Sequence, residues 1–101
     1  MARPNELEPI VETAVRESVR RGISLRELAD QTGTIIREEK TVRGMKAAAL
    51  RLFKKGRIVR AFEYYHPDGN PEGWARQYRY WTPEYAPTNR RIEDFGEQGA
   101  A

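Results

Sequence analysis

Early in the chain, apolar residues recur at the three-to-four spacing of an amphipathic helix. Leu7, Ile10, Val11, Ala14, Val15 and Val19, with Ser18 among them, form one narrow stripe that predicts a helix from about residue 6 to Arg21. Glu6, Glu8 and Glu12 lie early and Arg20 and Arg21 late, complementing the helix dipole. Pro9 lacks the amide proton of a helix interior and suits only a first turn, which allows a start as late as Glu8. Gly22 stops this helix, and Gly22-Ile23 can supply a very short strand. Next comes Ser24-Leu25-Arg26-Glu27, a Ser-x-x-Glu capping box in which Ser24 and Glu27 satisfy the orphan amides of a helix start. The second helix is predicted over 25–32, with Leu25, Leu28 and Ala29 inward and Gly33 as its left-handed stop.

Residues 34–39 are read as a loop or irregular helical turn pinned by Ile35 and Ile36, and a third helix is predicted over 40–55. Val42, Met45, Ala48, Ala49, Leu52 and Phe53 fall on one side of its wheel. The opposite side carries Lys40, Arg43, Ala47, Arg51 and Lys54, flanked by Gly44 and Lys46, so small Gly44 and Ala47 would let the backbone approach a groove. Gly56 ends the helix. Residues 57–65 and 74–81 are rich in aromatic and β-branched side chains and read as strands. The intervening 66–73 holds two Pro, two Gly, an Asp-Gly and an Asn-Pro, the composition of a long hairpin loop. Thr82-Pro83 ends the hairpin. The organisation predicted is a polar lead-in over 1–5, one domain over 6–85 and a polar, slightly acidic tail over 86–101, in which 90–95 forms one helical turn or stays loose.

Composition narrows the classes. With 101 residues, 39 % hydrophobic and 33 % charged, the chain is one domain with a small core and a charged surface. The absence of cysteine excludes disulfide frameworks, thiolate zinc sites and thiol nucleophiles, and fits a reducing compartment. No apolar run reaches membrane-spanning length and no signal-peptide core follows Met1, so a cytoplasmic protein without a membrane partner is expected. The distribution of charge is more informative than its total. Residues 34–65 hold nine Lys or Arg against three Glu, a surplus of six, which leaves minus three for the rest of a chain whose net charge is +3. A basic segment built around a capped helix pair is the footprint of a nucleic-acid reader.

The order helix, short strand, capped helix, basic helix, strand, long loop, strand resembles a winged helix-turn-helix domain, over about residues 6–85. The similarity is carried by 24–33, by 41–59 and by Tyr78-Arg79-Tyr80-Trp81-Thr82-Pro83-Glu84, although the segment between Gly33 and the third helix is longer than usual in that superfamily. The resemblance implies an α+β fold with a three-helix core and a long β-hairpin wing. It also implies double-stranded DNA as the partner, with the third helix in the major groove and the hairpin over backbone or minor groove. The function expected is a small transcriptional regulator acting by occupancy, with a homodimer on a two-fold site as its reasonable form.

On that reading Arg43 and Lys46 are candidates for base edges, since Arg can bond guanine O6 and N7 together. Lys40, Arg51 and Lys54 would touch phosphates, Thr41 lies at the start of the same helix, and Arg26 would meet a phosphate near the second helix's start. Arg76 and Arg79 are the wing candidates, with His66 and Asn70 also within its reach, while Ser24 is better explained by capping. The hairpin aromatics Tyr64, Tyr65, Trp74, Tyr78, Tyr80 and Trp81 are assigned mainly to cross-strand packing. Some would still lie on the outer face and offer a surface to a protein partner or a second copy. Two rivals therefore remain, a protein-interaction winged helix that docks on a polymerase or similar complex, and a single-stranded nucleic-acid binder. Catalysis is not expected. His66, Asp68 and Glu72 sit in a turn-forming loop, no phosphate-binding or nucleophile motif occurs, and no catalytic residue, metal ligand or cofactor is assigned.

Overall fold

Three helices and a three-stranded antiparallel sheet make an α+β fold in the computed structural model, which describes residues 4–32, 39–66 and 72–94. Helix α1 spans Pro4–Glu17. It begins earlier than the stripe predicts, which places Pro9 inside the helix on an exposed position, at the cost of one backbone hydrogen bond. It also ends earlier than Arg21. The Ser18 hydroxyl donates to the Val15 carbonyl at 2.6 Å, Val19 adopts φ +46, and Val19–Arg21 winds on as a 3₁₀ turn. Val19 thereby leaves the apolar stripe for solvent, and Ile10 at the stripe's margin is exposed as well.

Gly22, at φ +70, redirects the chain into strand β1 (Ile23–Ser24). Helix α2 (Leu25–Thr32) follows at once, and the Ser24 hydroxyl accepts the Glu27 amide proton at 3.2 Å. That is half of the expected capping box; the Glu27 carboxylate is instead engaged by Arg79. The predicted stop at Gly33 and the segment 34–38 fall outside the described residues. Helix α3 (Glu39–Lys54) ends at Gly56, where φ +74 suits a residue without Cβ. There the Arg57 amide reaches back to the Leu52 carbonyl and the Gly56 amide to that of Phe53, both at 3.0 Å, a Schellman closure.

The main core lies between α1, α3 and the sheet. Leu7, Val11, Ala14 and Val15 pack with Met45, Ala48, Ala49 and Leu52, and Ile23, Leu28, Phe53, Ile58 and Tyr80 complete the cluster. Gly44 serves this packing and not the groove its small size suggested. A Cβ there would lie 2.6 Å from Leu7 Cδ1, so its absence lets α1 and α3 approach. Ion pairs tie α1 to the turn that follows α3, Lys55 to Glu8 at 2.8 Å and Arg57 to Glu12 at 2.9 Å.

Strands β2 (Val59–Tyr65) and β3 (Ala75–Trp81) form the hairpin, and the sheet order is β1-β3-β2. The tip between them, 67–71, with Asp68 and Asn70, lies outside the described residues. The register pairs Arg60 with Tyr80, Phe62 with Tyr78 and Tyr64 with Arg76. Alternation therefore puts these six on the helix-facing side, while Val59, Ala61, Glu63, Gln77, Arg79 and Trp81 share the other. That second face is covered by the tail. After the 3₁₀ turn Pro83–Tyr85, Ala86 and Ile92 pack on Val59, Ala61 and Trp81. Arg60 and Glu93 exchange two backbone hydrogen bonds, at 2.8 and 3.3 Å, so the described part of the stretch expected to be loose or helical, 90–94, is bridged to the edge of β2.

Candidate nucleic-acid interface

Helix α3 presents Arg43, Lys46, Ala47, Leu50 and Lys54 on one outward stripe, and all five are exposed. Lys46 and Lys54 make no ion pair with any described residue. Beside this stripe runs a groove of about 340 Å³. Arg43, Lys46, Ala47 and Leu50 form one wall, and Arg60, Tyr78 and Tyr80 of the hairpin form the other. Lining atoms are mostly apolar, and both Arg43 and Lys46 are exposed. The outward side of α3 is thus covered neither by the hairpin nor by the described part of the tail.

Arg60 shapes the floor. Its guanidinium lies over Phe53 at 4.1 Å and over Tyr78 at 4.0 Å, and its Nε donates to Glu93 at 2.9 Å. Its charge is consequently engaged within the fold. Farther out, the same hairpin face carries rings that the core does not use. Tyr64 is 67 % exposed, Trp74 66 % and Phe62 42 %. Phe62 stacks on Tyr78 with centroids 3.9 Å apart, and Arg76 lies 4.3 Å above the Phe62 ring. His66 packs on Trp74 at 3.7 Å, and its Nδ1 donates to the Gly73 carbonyl at 2.8 Å, fixing the proton on that nitrogen.

The remaining candidates are scattered. Lys40 and Thr41 fall in the first turn of α3, where, as at Val42, only the backbone is described. Arg51 turns toward α1, with its Nε 3.7 Å from Glu8, so it does not share the outward stripe. Arg26 is exposed on α2 and lies 5.0 Å from the Tyr65 ring centroid. Arg76 is exposed on the wing.

Arg79 is the clearest departure. Its side chain is only 16 % exposed and joins three elements. Nε donates to Glu63 at 2.8 Å, and Nη1 donates to the Gly22 carbonyl at 3.1 Å and to Glu27 at 3.2 Å. Burial alone would depress its pKa, but hydrogen bonds and charge from Glu27 and Glu63 outweigh that and hold it above the ordinary value. Glu63 answers in kind: burial would raise its carboxyl, and bonds from Arg79, Gln77 and Arg90 bring it below the usual range. Arg79 is therefore taken up by the scaffold, unlike the exposed Arg76.

Sequence reasoning expected some hairpin aromatics to be exposed, but it did not name Phe62 or single out Tyr64 and Trp74. Counting by twos from the buried Tyr80 and Ile58 puts them on the α3 side, beyond the point where that helix can cover them. Among the described residues no group of three or more His, Asp or Glu is arranged to hold a metal ion, and no helix is long and apolar enough to cross a membrane. Comparison with protein-family models, with curated proteins and with solved structures finds no match to this chain.

Proposed function

We propose that the chain is a winged helix-turn-helix domain that binds double-stranded DNA and acts as a small transcriptional regulator. The order of elements and the β1-β3-β2 sheet agree with that arrangement, with α3 as the reading helix and the β2–β3 hairpin as the wing. One observation carries the reading, the exposed cationic stripe of α3 lying open beside the hairpin. In this arrangement Arg43 and Lys46 reach base edges, Ala47 and Leu50 offer apolar contact to thymine methyl groups, and Lys54 bonds phosphate. Lys40 and Thr41, at the start of α3, and Arg26 and Arg76 are the further candidates for contact with the duplex. The domain works by occupancy, with basic side chains releasing counterions, and a homodimer on a two-fold site would supply the specificity one short helix lacks.

Titration of duplex DNA at several salt concentrations tests the reading. About six phosphate contacts predict a log–log slope of about −5. Weak, unsaturable association with a slope near zero would refute it.

A further inference from the structure

We infer that the α3-facing side of the hairpin is a separate platform for unpaired bases, so that the protein prefers DNA in which a duplex adjoins a single strand. The inference rests on the duplex-binding reading of α3 and extends it outward along the same groove. Positions 60, 62, 64, 66, 74, 76, 78 and 80 are Arg, Phe, Tyr, His, Trp, Arg, Tyr and Tyr, with no carboxylate among them. Glu63, the one carboxylate within the two strands, belongs to the opposite face and is bound there by Arg79. The exposed outer part of this face thus combines the rings of Phe62, Tyr64 and Trp74 with the guanidinium of Arg76, which complements nucleobases and phosphates together.

The rings demand unpaired bases. Phe62 and Tyr64 are two residues apart along a strand, roughly 6.7 Å. Bases within a duplex strand are spaced about 3.4 Å apart and shield each other's faces. A base can lie on Tyr64 or Trp74 only when it is released from that stack. Because Tyr78 and Tyr80 share the groove with Arg43 and Lys46 of α3, a duplex on α3 delivers its first unpaired nucleotides toward Phe62, Tyr64 and Trp74.

Fluorescence anisotropy with three DNAs of one sequence provides the test: a blunt duplex, the same duplex with a short single-stranded extension, and the single strand alone. The extension should tighten binding about tenfold, the contribution of one stacked base. The double variant Tyr64→Ala with Trp74→Ala should bring the extended DNA back to blunt-duplex affinity and leave the blunt duplex unchanged. Since both side chains are two-thirds exposed, circular dichroism should show the variant folded. A short oligothymidine should quench tryptophan emission in the wild type but not in Trp74→Ala, where the buried Trp81 remains. Equal affinity for blunt and extended duplexes, or an unaltered preference in the double variant, would overturn the platform while leaving duplex binding by α3 intact. The platform fails equally if the double substitution only dissociates a protein dimer in sedimentation. Loss of duplex binding with retained Tyr64-dependent single-strand binding would instead sink the α3 reading and keep the platform.

Discussion

Trp81 occupies the space in front of Gly22. A Cβ on Gly22 would lie 2.5 Å from the indole Cε2 and Nε1 and 2.9 Å from the Tyr80 carbonyl oxygen. The indole N–H donates to the Arg20 carbonyl at 3.1 Å, which pins the end of the 3₁₀ turn to the last residue of β3. Gly22→Ala meets both this ring and a φ of +70, so it should destabilise by roughly 3 kcal/mol or more in urea unfolding. Trp81→Phe keeps most of the ring and loses the donor, and should cost roughly 1–2 kcal/mol.

Arg79 holds the Gly22 turn, α2 and β2 through one guanidinium. Arg79→Ala leaves Glu63 and Glu27 facing each other without their common partner, and should lower stability by roughly 3 kcal/mol. Arg79→Lys retains charge but not the fork, and should fall between the two. In both variants the DNA affinity of the folded fraction should stay at the wild-type level, whereas a wing contact would lose it in proportion to the missing cation.

The depressed Glu63 carboxyl makes stability acid-sensitive. Because its folded pKa lies below the unfolded value, its contribution is complete above the ordinary carboxylate range and is lost as pH falls through the folded value. Glu63→Gln should therefore flatten the acid limb of the stability curve and be less stable than the parent at neutral pH. An identical acid limb in parent and variant would refute this assignment.

The outward stripe and the α1-facing cations of α3 should separate in their salt response. Lys54→Ala should reduce the magnitude of the duplex salt slope by about 1, since each lost phosphate contact removes about 0.9. Arg51→Ala, whose charge lies against Glu8, should leave the slope unchanged.

Val19 is a β-branched residue in the left-handed region, half exposed and outside the core. Val19→Asn tolerates that conformation and loses little packing, so it should stabilise by about 1 kcal/mol, visible as a higher urea midpoint with an unchanged m-value.

The periodicity made the helices and hairpin legible, because each has its own punctuation. Ser24 opened α2, Gly56 closed α3, and the turn-rich run after Tyr65 separated two strands. Its failures have specific causes. The apolar pattern of α1 continues through Val19, but Ser18 and a positive φ end the helix first, a backbone event that hydrophobicity does not encode. Arg79 and Arg76 are indistinguishable by composition. Only register shows that Arg79 lies opposite Ser24 and shares a face with Glu63, while Arg76 lies opposite Tyr64. Gly44 looked like part of the outward face because a wheel does not tell which neighbour comes close, and Leu7 does.

The bridge between Arg60 and Glu93 sets a practical boundary for anyone handling this protein. Cutting the gene after residue 85 would strip Ala86 and Ile92 from Trp81, Val59 and Ala61, leaving a greasy sheet surface and an edge strand without its clasp. Affinity tags or fluorescent reporters belong beyond Asp94, and a shortened version is expected to precipitate where the longer one stays in solution.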